Sequence, residues 1–348
     1  MSAIERLWYS DSLGARLGRA ALWPAEQAFG AAARLRGAMY DRGMLEAHQP
    51  VIPVLSIGNI SVGGTGKTPV AAWAVARLRE RGAHPAVVLR GYGGDEPLVH
   101  ERLNPGTPVV RDADRVRATR SAHAAGADCV VLDDAFQHRR LARTADWVLV
   151  PAERFARSRH VLPAGPLREP TNALARADVV VVTRKSASSA VAESAAEHIE
   201  STAHVGAAIV HFAPSALVDA RHGSSRVLDT LRDARVVAVA AIGEPEAFFA
   251  QVRGLVARDV ATVSFRDHHA FGAADVAKLA RNAATADAVV CTLKDAVKLA
   301  PLWPDGALPL WYVSQRAEVE RGAQLLDASL AVVLAARAST PSTAGAAG

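Results

Sequence analysis

Short apolar runs rich in valine alternate along the chain with longer stretches of mixed polarity. Within these runs apolar residues do not alternate with polar ones, which is typical of strands buried on both faces of a parallel sheet. The pattern predicts a strand beginning at Val54 and further strands at residues 85–89, 107–110, 127–132, 146–151, 178–183, 207–212, 236–242, 259–265 and 288–292. Helices are predicted between them, for example at residues 71–79 and 114–125. The sequence therefore predicts an α/β protein with mostly parallel sheets and helices on both faces.

The composition turns to serine and alanine at residues 186–189, which indicates a domain boundary. A chain of 348 residues is long enough for two domains. We expect an N-terminal helical segment at residues 1–45, a first α/β domain at 46–185, a second at 186–335 and a disordered tail at 336–348.

The strand that begins at Val54 leads into a glycine-rich loop that ends in Lys67 and Thr68. A strand, a glycine-rich loop and a helix in this order are typical of a phosphate-binding P-loop, whereas an ordinary turn lacks that context. Lys67 is expected to reach the β- and γ-phosphates of a nucleotide, and the Thr68 hydroxyl to ligate Mg²⁺. The predicted nucleotide-binding residues are Ser61, Val62, Gly63, Gly64, Thr65, Gly66, Lys67 and Thr68.

A carboxylate follows another predicted strand, because the apolar run at residues 127–132 ends in Asp133. In P-loop proteins a carboxylate at a strand end holds the metal beside the threonine hydroxyl. We therefore predict a Mg²⁺ site formed by Thr68 and Asp133.

Two further polar clusters follow predicted strands. Asp95 and Glu96 lie in a glycine-rich segment after residues 85–89, and His268 and His269 follow residues 259–265. Adjacent histidines can be metal ligands, but neighbours in sequence rarely face one site and no third ligand has suitable spacing. A histidine paired with a carboxylate for proton transfer fits this pattern better. The proline-rich stretch at residues 162–170 predicts a shaped loop.

The composition narrows the classes of partner. The formal net charge is +5 without a lysine and arginine run, so nucleic acid is not expected, and nothing indicates an obligate protein partner. Cys129 and Cys291 each lie in an apolar run, which favours buried reduced thiols over a disulfide or a metal site.

The N-terminal residues 12–40 combine large apolar side chains with four arginines and a single acid, Glu26. Such a segment, broken or kinked near Pro24, could lie in a membrane interface with its arginines at the headgroups. A helix packed on the domain would have the same apolar spacing, so both alternatives stay open. No stretch of about twenty apolar residues is present, so no membrane span is predicted.

Seven motifs occur in an order that resembles the tetraacyldisaccharide 4'-kinase family, the lipid A kinases of Gram-negative bacteria. They are VLSIGNISVGGTGKTP, RGYGG, GDEP, LDDAFQHRRLAR, LPAGPLREP, DHHAF and TLKDAVKL. The resemblance extends from residue 7 to residue 330. It implies two α/β/α domains with a nucleotide cleft between them, and an N-terminal helix at the cytoplasmic face of the inner membrane.

The resemblance also implies a reaction, the transfer of the γ-phosphoryl group of ATP to the 4'-hydroxyl of tetraacyldisaccharide 1-phosphate. Asp95 matches the family's catalytic carboxylate and His268 its partner histidine, so Asp95 is expected to take the acceptor proton while His268 orients it. His269 receives no role. The motif match, together with the ability of arginine to bind phosphate, gives five candidate substrate-lining residues. They are Arg90, Asp134, Gln137, His138 and Arg168.

Four departures from the family pattern bear on these expectations. Ser61 replaces the first glycine of the strict P-loop motif, although the family commonly has a hydroxyl residue there. Ala135 replaces a glycine, which matters if that residue needs a positive φ. Leu293 replaces a glutamate, and the loop that normally separates RGYGG from Asp95 is missing.

Two other functions are also compatible with the sequence. One is a P-loop switch protein that hydrolyses nucleotide to control a partner, although the guanine-specific N-K-x-D motif is missing. The other is a nucleotide-binding paralogue that lost catalysis with the missing loop. Formation of a phosphorylated disaccharide would separate the kinase from both.

Overall fold

The computed structural model describes residues 3–91 and 94–338. Residues 339–348 of the expected tail lie outside the described residues. Residues 336–338, also expected in the tail, are instead the last residues of a helix.

Twelve strands and eleven α-helices are assigned within the described residues. The strands are β1 (Val54–Asn59), β2 (Pro85–Leu89), β3 (Val109–Arg111), β4 (Cys129–Asp133), β5 (Ala145–Pro151), β6 (Val179–Arg184), β7 (Ala207–Asp219), β8 (Ser225–Arg226), β9 (Val236–Ala240), β10 (Val260–Ser264), β11 (Ala288–Cys291) and β12 (Leu310–Arg321). The helices are α1 (Ala3–Tyr9), α2 (Leu13–Asp41), α3 (Lys67–Glu80), α4 (Asp95–Leu103), α5 (Arg115–Ala124), α6 (Ala152–Phe155), α7 (Ser189–Ala203), α8 (Pro245–Arg253), α9 (Ala273–Asn282), α10 (Leu293–Leu299) and α11 (Ala323–Ala338). Every strand predicted from an apolar run is present, whereas β8, β12 and α11 were not predicted.

The chain divides into two compact units. Among the described residues, unit 1 contains 3–91, 103–211 and 317–338, and unit 2 contains 94–102 and 212–316. The change of unit lies within β7, not at the serine-rich stretch near residue 186, because the first half of β7 pairs with β6 in unit 1. The segment that carries Asp95, which was expected in the first domain, belongs to unit 2.

Unit 1 contains a parallel sheet in the order β7-β6-β5-β1-β4-β2-β3. Helices α5 and α7 pack on one face through alanine, valine and isoleucine. Helices α3 and α11 lie on the other face, where the ring of Trp147 contacts Trp73 and its Nε1 donates to Ser329 Oγ at 2.8 Å. The predicted α/β/α layering is confirmed for this unit.

Unit 2 contains β10, β9, β11 and β12 in that order beside the second half of β7. Phe248 and Phe249 of α8 cover one face of these strands. Helices α9 and α10 cover the other face, and Cys291 is buried beneath them. This unit is therefore also an α/β/α sandwich.

Helix α2 is one continuous element of 29 residues, so the segment is not broken at Pro24, and the alternative of a kink there stays a prediction. Proline removes one backbone donor, yet the helix continues through Pro24, and contacts of Glu26 fix one face of α2 to unit 1. Glu26 is buried and accepts from the Val161 N–H and from His160 Nδ1, each at 3.0 Å. None of the described helices is long and apolar enough to span a membrane.

Candidate functional site

The P-loop connects β1 to α3, as the sequence predicted. Gly63 has φ 104° and Gly66, which caps α3, has φ 87°, so both positions use backbone that favours glycine. The loop is anchored at Thr65, whose hydroxyl accepts from Asn59 Nδ2 at 2.9 Å and whose carbonyl accepts from the Thr183 hydroxyl at 2.9 Å. The proline-rich loop also supports the P-loop, because the Val62 N–H donates to the Pro166 carbonyl.

The side chains of Lys67 and Thr68 each meet a carboxylate from the end of β4. The Thr68 hydroxyl donates to Asp133 Oδ2 at 3.2 Å, and Lys67 Nζ lies 3.5 Å from Asp134 Oδ1. Arg168 Nη1 donates to both oxygens of Asp134, at 3.0 and 3.2 Å. Five of the predicted site residues are thus brought together in unit 1.

The loop after β4 explains why alanine is tolerated at position 135. Asp134 has φ 57°, and Ala135 is not among the described residues with a positive φ. The special conformation that would favour glycine therefore lies one residue earlier, on an aspartate, which adopts it more readily than most side chains. The glycine that this loop does require is Gly58, where an added Cβ would lie 2.5 Å from the Phe136 nitrogen.

Arg143 supports the loop after β4 through its guanidinium, and no sequence pattern predicted this role. Its guanidinium donates to the carbonyls of Ala135 and Phe136 and lies 3.2 Å from Asp146. Burial raises the pKa of Asp146 to about 6, although the nearby Arg143 opposes that shift.

The remaining candidates in unit 1 have different surroundings. Gln137 Nε2 donates to the Asn59 carbonyl at 2.9 Å, so this side chain braces the end of β1. Burial lowers the pKa of His138 to about 4, and the charges of Arg115, Arg143 and Arg36 lower it further. Arg90 is exposed at the residue after β2.

A second cluster lies in unit 2, where Asp95 and His268 meet as expected. Asp95 begins α4 and is only 4% exposed. Nδ1 of His268 lies 3.3 Å from each carboxylate oxygen of Asp95. Asp95 Oδ2 is buried and accepts no hydrogen bond from residues 3–91 or 94–338. His268 has φ 55°, an uncommon conformation that marks a constrained residue.

Two lysines of α10 complete this cluster, and the sequence analysis assigned a role to neither, although both lie in the motif TLKDAVKL. Lys294 Nζ lies 3.8 Å and Lys298 Nζ 3.9 Å from Asp95 Oδ2. Their separation of four residues places both on one face of the helix, which is the signal that the sequence offered. Leu293, which replaces the family glutamate, packs against the apolar cluster beneath α9 and α10.

His269, to which no role was assigned, has its own contacts. Its Nε2 lies 3.0 Å from Asp275 Oδ2, and its ring stacks on Phe265 at a centroid distance of 4.8 Å. In the part of the chain that the structure describes, no group of three or more His, Cys, Asp or Glu side chains could hold a metal ion.

Comparison with known proteins identifies the family. The family model described as tetraacyldisaccharide-1-P 4'-kinase matches residues 18–94 and 93–334. The chain belongs to this family. The match is divided at residues 93 and 94, which is where the motif resemblance implied a missing loop before Asp95.

Curated relatives and a solved structure agree with this assignment. A tetraacyldisaccharide 4'-kinase from Anaeromyxobacter sp. strain K is 39% identical, over 97% of this chain and 97% of the relative. One from Halorhodospira halophila is 38% identical, over 94% and 95%. The crystal structure of the "apo" form of LpxK from Aquifex aeolicus in complex with ATP has a TM-score of 0.72 at 24% identity and covers 90% of this chain and 99% of that one. That likeness supports the same fold for this 4'-kinase.

Proposed function

We propose that this 4'-kinase transfers the γ-phosphoryl group of ATP to the 4'-hydroxyl of tetraacyldisaccharide 1-phosphate, with Asp95 as the general base. The hydroxyl oxygen forms the new bond to phosphorus, its proton passes to Asp95, and ADP leaves. The observation that carries the role of Asp95 is its buried carboxylate, which has a histidine and two lysines around it and an oxygen that accepts no hydrogen bond from the described residues. Such an oxygen is able to accept the proton of a substrate hydroxyl.

The P-loop is proposed to hold the phosphates of ATP. Its backbone N–H groups and the N-terminus of α3 supply donors and a favourable dipole, and Lys67 supplies charge. Arg168 and Lys67 both contact Asp134, so the loop after β4 brings two cations to the same place. Charge neutralisation of this kind is the main requirement of phosphoryl transfer.

Thr68 and Asp133 are proposed to hold Mg²⁺. A hydroxyl and a carboxylate are the hard oxygen ligands that this ion prefers, and the two side chains already lie 3.2 Å apart. When bound, the ion would neutralise charge that develops on the transferred phosphoryl group.

Helix α2 is proposed to rest on the cytoplasmic face of the inner membrane, because the face opposite Glu26 is apolar and exposed. Leu13 is 72% exposed, and Leu17 and Leu35 are each 62% exposed. The stripe continues through small residues at helical spacing, and it consists of Leu13, Leu17, Ala20, Pro24, Ala28, Ala31 and Leu35.

The edge of this stripe is suited to anionic headgroups. A cavity of about 500 Å³ beside α2 is lined by Arg16, Arg19, Ala20, Trp23, Glu26 and His160. Trp23 is 58% exposed, and tryptophan and arginine together are typical of membrane-interface surfaces.

The test of the reaction is an assay with purified protein, γ-labelled ATP, Mg²⁺ and tetraacyldisaccharide 1-phosphate in detergent. Label in the lipid is the expected result. Lipid-independent release of labelled phosphate would support the alternative function, a P-loop switch protein that hydrolyses nucleotide. Nucleotide binding without either product would support the impaired paralogue.

A further inference from the structure

The end of α10 that follows β11 brings a lysine to the histidine of the unit 2 cluster. The Thr292 hydroxyl caps α10 by accepting from the Asp295 N–H, which fixes the first turn of the helix. From this turn Lys294 Nζ reaches within 3.3 Å of His268 Nε2. This is the nitrogen on the opposite side of the ring from Asp95.

An ammonium group has hydrogen-bond donors and no acceptor. His268 Nε2 must therefore be the acceptor of the contact with Lys294, so in the neutral ring the proton lies on Nδ1. Nδ1 faces Asp95, and its N–H can donate to a carboxylate oxygen of Asp95. The opposite tautomer would place a nitrogen lone pair against the carboxylate.

We propose that Lys294 is a positioning residue that holds His268 in the Nδ1–H tautomer and so keeps Asp95 oriented for proton transfer. This inference rests on the proposed roles of Asp95 and His268. Lys294 acts through His268 and the field at Asp95, since its ammonium lies 3.8 Å from Asp95 Oδ2, beyond hydrogen-bond distance.

The other charged groups around the cluster do not replace Lys294. Lys298 Nζ lies 3.5 Å from Asp295 Oδ1, donates to the His269 carbonyl and stands over the Phe271 ring, so its position is fixed by other contacts. Asp267 acts in the opposite sense, because its Oδ1 lies 3.9 Å from His268 Nε2 and favours a proton there. Without Lys294, the Asp267 carboxylate would still lie 3.9 Å from Nε2.

The test compares the pH dependence of kcat/KM for wild type, Lys294→Met and Lys294→Arg. Lys294→Met removes the positive charge that opposes a proton on His268 Nε2. A ring with a proton on both nitrogens binds the Asp95 carboxylate more strongly, so Asp95 accepts the substrate proton less readily. We expect the acidic limb to move about one pH unit upward, so that kcat/KM falls about tenfold at a pH well below the wild-type limb, while Lys294→Arg keeps the wild-type limb. The same substitution at the exposed Lys278 of α9 is the control and should leave the profile unchanged.

Two outcomes would overturn the proposal. One is a Lys294→Met profile that superimposes on wild type while Asp95→Asn is inactive. The other comes from wild-type protein with ¹⁵N-labelled histidine, in which the His268 signals are identified by comparison with His268→Gln. We expect the spectrum of a neutral ring protonated on Nδ1, and a ring protonated on Nε2 would refute the tautomer. An active Asp95→Asn variant would instead refute the dyad itself.

Discussion

Lys67 Nζ lies 3.5 Å from Asp134 Oδ1, and the same carboxylate oxygen accepts from Arg168 at 3.0 Å. Both cations are therefore gathered at the loop after β4, and Lys67 also stands at the start of α3. A phosphate bound by the P-loop would meet charge that is already in position, so little reorganisation is needed during phosphoryl transfer.

Lys67→Met is expected to abolish this preorganised charge. We predict that kcat falls by at least about 10²-fold at saturating ATP, because the developing charge on the phosphoryl group loses its nearest side-chain cation. Initial rates of lipid phosphorylation measure the effect, with Lys278→Met as the matched control. A rate within about threefold of wild type would remove Lys67 from the catalytic account.

Arg143→Met is expected to lower the free energy of unfolding by about 3–5 kcal/mol, because Asp146 would remain buried without its partner. Denaturant titration measures this loss. The double variant Arg143→Met with Asp146→Asn should recover part of the stability, since it removes the unpaired charge as well. A single-variant loss below about 1 kcal/mol would show that the pair does not support the loop after β4.

His138 should make the protein less stable as the pH falls. Burial holds its pKa at about 4 in the folded state, below the ordinary value of 6.5. The unfolded chain therefore binds more protons between these two values, and the contribution to stability is lost as the pH drops through them. Asp146 acts in the opposite direction, because its raised pKa favours the folded state at low pH.

The difference between wild type and His138→Gln isolates the histidine. Between pH 7 and pH 4 wild type should lose about 3 kcal/mol more stability than the variant. His222→Gln is the control, because that ring is 71% exposed. Parallel stability curves for wild type and His138→Gln would contradict the assignment.

Three leucines on the exposed stripe of α2 provide the test of membrane contact. Replacing Leu13, Leu17 and Leu35 by serine should weaken binding to vesicles that contain anionic lipid by at least about 10²-fold, because less apolar area is buried in the interface. Flotation measures the bound fraction. Deletion of the helix is less suitable, because it would also remove buried Glu26.

The control for that variant changes the same number of exposed apolar side chains elsewhere. Val191→Ser, Val227→Ser and Val332→Ser remove residues that are 48%, 70% and 54% exposed. Equal flotation of wild type and the leucine variant would count against the membrane role of α2. Equal loss in both triple variants would mean that the effect is not specific to α2.

The P-loop could be predicted because its signal is local. Glycines at Gly63 and Gly66 adopt positive φ, and Lys67 and Thr68 follow immediately at the start of α3. Asp133 was also predictable, since an apolar strand places the next carboxylate at the edge of a parallel sheet. The pairing of Asp95 with His268, 173 residues apart, came from the family resemblance, and its geometry needed the fold.

Other features depend on long-range contacts that apolar patterns do not reveal. The boundary within β7 follows from its pairing with β6, whereas the serine-rich stretch at residues 186–189 lies inside unit 1. A break or a kink was expected near Pro24, but the helix is not broken there, and contacts of Glu26 with a distant loop fix it in place. The role of Arg143 depends on the buried neighbours that the fold supplies.

The central claim is that Asp95 is the base, and the direct measurement is single-turnover phosphorylation of tetraacyldisaccharide 1-phosphate by wild type, Asp95→Asn and Asp134→Asn. We predict that Asp95→Asn slows the chemical step by about 10²–10⁴-fold while the affinity for ATP is retained. The opposite pattern, a nearly normal Asp95→Asn and a severely impaired Asp134→Asn, would contradict the claim and place the base in unit 1.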